Sequence, residues 1–349
     1  MGFKVNPCDP CVANRIVCGT QQTIVWHVND LKLSHLILRE NTKIIQKLMK
    51  IYGKDMTVRR GKKHSYLGMD MDWRVKGQLI IDMSEYNKET FSMWPEPLEK
   101  PVKTPAGEHL LKVNVDCAKL DEKRARLFHT LTARNLFVSK RKRGDILPTT
   151  AFFTTRIKET DEDDWKKLGR CLQYLKDTVN DVLILSDDNI RVVKWWVDGS
   201  YACHEDCRSQ TRGTMSMGRG SICNTSQKQK INTKSSTETE VVSTDDCLPQ
   251  IMWTKYFLDG QGYSCEHELQ QDNTSAMRLE INGKASSGKR TKHMAVQYFF
   301  IKDRVDAGDI TIHHCPTAEM VGGFFTKPLQ GAAFIRFRDL IMGKVAHDF

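Results

Sequence analysis

The sequence predicts a multidomain chain of mixed α/β and α+β class, and three observations predict it. At 349 residues and 40% hydrophobic content the chain can bury two or perhaps three cores. Segments with apolar spacing of period two alternate with segments of helical period along most of the length. A Pro- and Lys-rich stretch at 94–120 and the polar turn Ser186-Asp187-Asp188-Asn189 then divide those segments into blocks.

The first block, residues 1–93, reads as α+β. Thr23 to His35 sets two apolar runs around a polar His27-Val28-Asn29-Asp30 tip, the pattern of a β-hairpin. Asn41 to Tyr52 carries Ile44, Ile45, Leu48 and Met49 at helical spacing. A second hairpin is predicted with Ser65–Trp73 as one strand, Lys76-Gly77 as its turn and Gln78–Ser84 as the return. The second block, 94–189, is a connection with two helices, Leu127–Ser139 and Trp165–Lys176. The latter follows Asp161-Glu162-Asp163-Asp164, an acidic start that suits a helix N-terminus.

The third block, 190–330, is strand-rich. Ile190–Val197 is β-branched and aromatic, and further strands are expected at Gly213–Met217 and Ser221–Gln227. A helix spans Thr237–Leu258, with Pro249 implying a kink or break near Cys247. A strand ending at Gln271, a helix over about 293–307 and a strand at Ile310–His313 give the order β-β-β-α-β-α-β-α, a mixed five-stranded sheet with helices. Residues 331–349 form a helical tail.

Fifty-three basic against 43 acidic residues leave a formal +10, which favours polyanionic partners such as nucleic acid through counterion release. No apolar run approaches the roughly 18 residues of a membrane span, and the N-terminus lacks a signal-like stretch. An intracellular chain, in cytoplasm or nucleus and not secreted, is expected. The 11 cysteines are scattered. Cys8 and Cys11 have zinc-like spacing, but no second pair answers them, so no structural zinc is expected.

Three separated segments carry the chemistry. Trp195-Trp196-Val197-Asp198-Gly199-Ser200-Tyr201-Ala202 ends an apolar strand on a carboxylate. Lys234-Ser235-Ser236-Thr237-Glu238-Thr239-Glu240 places two glutamates behind an N-cap at Ser236 or Thr237. Leu269-Gln270-Gln271-Asp272-Asn273-Thr274-Ser275-Ala276 closes a strand on an aspartate. Each acid alone reads as a turn or cap residue. Brought together at one sheet edge, the three repel unless a divalent cation sits between them, as in metal-dependent phosphodiesterases.

These stretches, with Gly288-Lys289-Arg290-Thr291-Lys292-His293 and Phe325-Thr326-Lys327-Pro328-Leu329, closely resemble the C-terminal ribonuclease H domain of copia-type retrotransposon polyproteins. The resemblance implies Asp198, Glu240 and Asp272 as catalytic, metal-binding carboxylates for Mg²⁺ or Mn²⁺, with Glu240 the choice over Glu238. It implies a further Asp at the position of Gly323, which is absent here. Lys289, Arg290, Lys292 and His293 become candidates for phosphate contact.

Trp26-His27-Val28-Asn29-Asp30-Leu31 resembles the polymerase turn of the same family, aromatic-x-Asp-Asp. Gly2-Phe3, Asp9-Pro10-Cys11-Val12 and Tyr66-Leu67-Gly68-Met69 match around it. Here Asn29 stands for the first Asp, leaving a degenerate site of Asn29 and Asp30, and a neutral amide is a poor Mg²⁺ ligand. The resemblance places the other polymerase carboxylate and the fingers before Met1. Residues 1–93 are then a truncated palm with an exposed apolar face near 23–33, and 94–189 a thumb- or connection-like linker. The implied activity is a metal-dependent endonuclease cutting RNA in RNA–DNA hybrids, with reverse transcription lost. The alternative is a catalytically inert nucleic-acid-binding relic. Other polyprotein products of the element are the remaining expected partners.

Overall fold

The computed structural model describes every residue except 189–190, 287–294, 326–327 and 347–349. The N-terminal strands β1 (Lys4–Asn6), β2 (Asp9–Val17), β3 (Thr20–His27) and β4 (Asp30–Ser34) make an antiparallel meander in sequence order. The first two strands were not predicted from the sequence. Pro10 is tolerated because the β1–β2 register slips between Val5 and Asn6, where a missing N–H costs little. Helix α1 (Leu38–Tyr52) buries Glu40 and Ile44 and is tied to β3 by Gln22 donating to Asn41 at 2.9 Å. The apolar face expected near 23–33 is exposed only in part: Val28 and Leu31 are exposed, while Ile24, Val25, Trp26 and Leu33 are half-buried.

The second hairpin differs from expectation. The span read as one strand is itself a hairpin, β5 (Lys63–Tyr66) and β6 (Met69–Asp72), closed by Leu67 and Gly68, both at positive φ (51° and 77°). A two-residue turn with both φ positive matches the twist of its strands, and a leucine at the first position hides that signal. Next come β7 (Gln78–Asp82) and a short helix, α2 (Ser84–Ser92), that the sequence pattern does not announce.

Residues 94–189 hold three helices rather than the expected two: α3 (Glu122–Ser139), α4 (Leu147–Arg156) and α5 (Glu162–Asp177). Asp121 caps α3, and Asp161 with Asp164 forms a reciprocal capping box on α5. Strand β8 (Leu183–Asp187), read from sequence as a boundary, instead pairs with β7. It completes a five-stranded sheet in the order β11-β8-β7-β6-β5, where β11 is Gly218–Arg219.

The mixed five-stranded sheet expected after residue 190 is present, in the order β12-β10-β9-β13-β14. Its members are β9 (Val192–Ser200), β10 (Gln210–Ser216), β12 (Cys223–Lys228), β13 (Glu266–Gln271) and β14 (Thr311–His314). The first three are antiparallel, and β13 and β14 run parallel to β9. Helix α6 (Ser236–Gly260) is continuous through Pro249, so the break expected near Cys247 does not occur; buried Leu248, Ile251 and Met252 carry the helix past the missing hydrogen bond. Helix α7 (Thr274–Asn282), not predicted, precedes α8 (Ala295–Asp306), and α9 (Gly331–Ile341) forms the tail.

Strand alternation sends β9 side chains into two different cores. Trp195 and Val197 pack with Val241, Leu248 and Ile251 of α6. Trp196 faces the other way, into a core of Phe128, Phe153, Leu168, Phe324, Phe325 and Phe334 that joins the connection helices to α9. No described helix is long and apolar enough to cross a membrane.

Candidate metal centre

Asp198 sits on β9 two residues before its end, so the strand continues past the acid rather than stopping on it. It shares the Trp196 face, where the 3-10 turn Val321–Phe325 packs: a Cβ on Gly322 would lie 3.3 Å from the Asp198 Cβ. Glu240 lies in the second turn of α6, not the first. The true N-cap is Ser235, whose hydroxyl accepts from Glu238 N, and Glu238 itself accepts from Lys234 N at 2.6 Å. Glu238 is thus consumed by the cap, and Glu240 is the glutamate that turns inward. Asp272 follows β13 directly and precedes Asn273, the N-cap of α7. Thr317 donates to its Oδ2 at 2.9 Å.

One oxygen from each of Asp198, Glu240 and Asp272 falls within 4.8 Å of the others. Among the described residues this is the one cluster of three or more His, Cys, Asp or Glu side chains that could hold a metal. Asp198 and Glu240 are buried and Asp272 is half-buried. Burial pushes the Glu240 carboxyl well above its usual range, and Asp198, Asp272 and Glu280 push it further. Its Oε2 is buried with no hydrogen-bond partner. A crowded set of hard oxygens with one orphaned atom fits a hard divalent cation.

Three neighbours escaped the sequence reading. Arg212 of β10 stands directly across from Asp198, but strand parity is invisible until register is known. Glu280 of α7 is fully buried behind the site, and burial raises its carboxyl to about 7 while Thr244 acts against this. In sequence it is one more charged residue, in a segment with no predicted element. Thr317 lies in a turn with no motif. Of the remaining candidates, Asn29 and Asp30 are exposed at the tip of the β3–β4 hairpin, where Val28 takes φ 51°. That backbone is unfavourable for a β-branched residue. Lys289, Arg290, Lys292 and His293 lie outside the described residues. Gly323 has open space where a side chain would project.

No family model matches the chain. It is 23% identical over 342 residues, 95% of its length, to the retrovirus-related Pol polyprotein from transposon TNT 1-94 of Nicotiana tabacum. It is 31% identical over 179 residues, half its length, to the corresponding polyprotein from transposon RE2 of Arabidopsis thaliana. The chain spans only 25% and 12% of those relatives. Among solved structures, a foamy viral protease-reverse transcriptase in complex with an RNA/DNA hybrid is similar in fold, with TM-score 0.50 and 13% identity. That likeness covers 84% of this chain and 36% of the viral one. Over nearly its whole length, then, the chain is similar to one retrovirus-related Pol polyprotein of a plant transposon, and over about half its length to two others.

Proposed function

We propose that residues 190–330 form a ribonuclease H-type endonuclease, dependent on Mg²⁺ or Mn²⁺, that cleaves the RNA strand of RNA–DNA hybrids. Residues 1–93 act as a palm without polymerase activity, 94–189 as the connection and 331–349 as a closing tail. The observation that carries this reading is the convergence of Asp198, Glu240 and Asp272 within 4.8 Å. The hybrid bound by the viral neighbour points to the same substrate class.

Asp198, Glu240 and Asp272 would hold the cation, which when bound supplies an activated water and neutralises charge on the scissile phosphate. Thr317 fixes the Asp272 carboxylate and leaves its other oxygen for the cation. The Glu238 cap orients the first turns of α6 and with them Glu240. Hybrid recognition would use helical shape, 2′-hydroxyls and phosphates, with Lys289, Arg290, Lys292 and His293 as phosphate contacts. Polymerase chemistry has no support: Asn29 is neutral, and Asp30 is exposed and stands outside the carboxylate cluster. The glycine at 323 favours a second reading, a binder without turnover.

Hybrid cleavage in Mg²⁺ or Mn²⁺, compared between this chain and Asp198→Asn, separates the two. Loss of a metal ligand is expected to lower cleavage by about a hundredfold or more. Equal rates for the two proteins, or none for either, would remove the nuclease.

A further inference from the structure

Arg212 is 2% exposed and lies in direct cross-strand register with Asp198. Residues paired this way project from the same sheet face with Cβ atoms about 4.5–5.5 Å apart. Its Nη1 donates to Ser200 Oγ at 3.1 Å, on the same face two residues beyond Asp198. Burial pulls the guanidinium down to about 10, with Asp198, Cys203 and Glu240 acting the other way, so it stays charged at neutral pH. The three carboxylates and this one fixed cation leave a formal charge of about −2 on the cluster, at neutral pH with all three acids ionised.

A second divalent ion would need a further acid to offset it. The turn that packs on Asp198 offers none: Gly322 lies against the Asp198 Cβ and the Trp196 carbonyl, and position 323 is also glycine. Glu280 is fully buried in α7 and, among the described residues, is not a member of the cluster whose oxygens lie within 4.8 Å. We propose that this centre holds a single divalent cation, and that the Arg212 guanidinium stands permanently where a second positive charge would otherwise be required. The proposal rests on the carboxylate triad being a metal site. Arg212 is a positioning residue here, since it acts on the cation through Asp198 and Glu240.

The test is the number of Mn²⁺ ions bound by the full chain, measured by titration calorimetry at neutral pH with Asp198→Asn as reference. One ion per wild-type chain, absent from the reference, is expected. Two ions would overturn the single-cation proposal while leaving the metal reading intact. No difference from the reference would overturn the metal reading itself, and this proposal with it. Arg212→Met, checked for folding by circular dichroism, is expected to bind Mn²⁺ roughly tenfold more tightly or better, because a like charge is removed; unchanged affinity would count against the proposal. Arg212→Lys keeps the charge and should keep one ion, and two ions there would also overturn it.

Discussion

Asp145→Asn is expected to lower stability by about 3–5 kcal/mol, because it leaves the guanidinium of Arg143 in the core without its counter-charge. Arg143 and Asp145 are both completely buried and meet fork to fork, with two contacts of 2.8 Å. Tyr174 donates its hydroxyl to Asp145 Oδ2 at 2.7 Å, and Arg143 also donates to the carbonyl and hydroxyl oxygens of Thr178. Against burial, which raises it, Arg143 and Tyr174 hold the Asp145 carboxyl below the ordinary range. The pair ties the start of α4 to the end of α5. Replacing both members with Arg143→Met and Asp145→Leu is expected to cost less than the two single losses added together, since neither charge is then stranded. Denaturant midpoints would check this, and a cost below about 1 kcal/mol for Asp145→Asn would contradict it.

Glu280→Gln should act in the opposite direction. A carboxyl raised from 4.5 to about 7 keeps its proton in the folded state where the unfolded chain has already released it. Stability therefore declines as pH rises from 4.5 to 7 and levels off above that window. The neutral amide removes the decline, so the variant should gain up to about 3 kcal/mol at pH 8 and nothing below pH 4.5. Melting temperatures at the two pH values, measured in chelator, give the comparison. The same gain at both would assign the effect to packing instead of charge.

The contrast between these residues explains what could be read from the chain alone. The mixed sheet was legible because β9 is a short apolar run punctuated by turn residues, a local signal. Strand β13 is mostly polar and was placed by the Asp272-Asn273-Thr274 turn that ends it. Asp198 and Asp272 were legible for the same reason. Glu240 was separable from Glu238 only by resemblance, and the physical ground is that Ser235, one residue earlier than expected, caps the helix. Arg212, Glu280 and the Arg143–Asp145 pair were not legible, because a charged residue in sequence looks solvated until tertiary packing decides otherwise. Strand β8 was misread because its partner β7 lies across the whole connection, and nothing local announces a pairing at that separation.

That distant pairing has a kinetic consequence. Strand β7 finishes at Asp82, and its partner β8 does not begin until Leu183. At typical synthesis rates the nascent hairpins β5 to β7 would stand with an open edge for roughly 5–20 s before β8 emerges. Even then the sheet is not sealed, since Ile184 N donates to Met342 O, and Gly343 packs so tightly on the Ile184 carbonyl that no side chain would fit. A ribosome stalled late on the message would therefore release a chain whose front half is still unlatched, a natural substrate for holding chaperones.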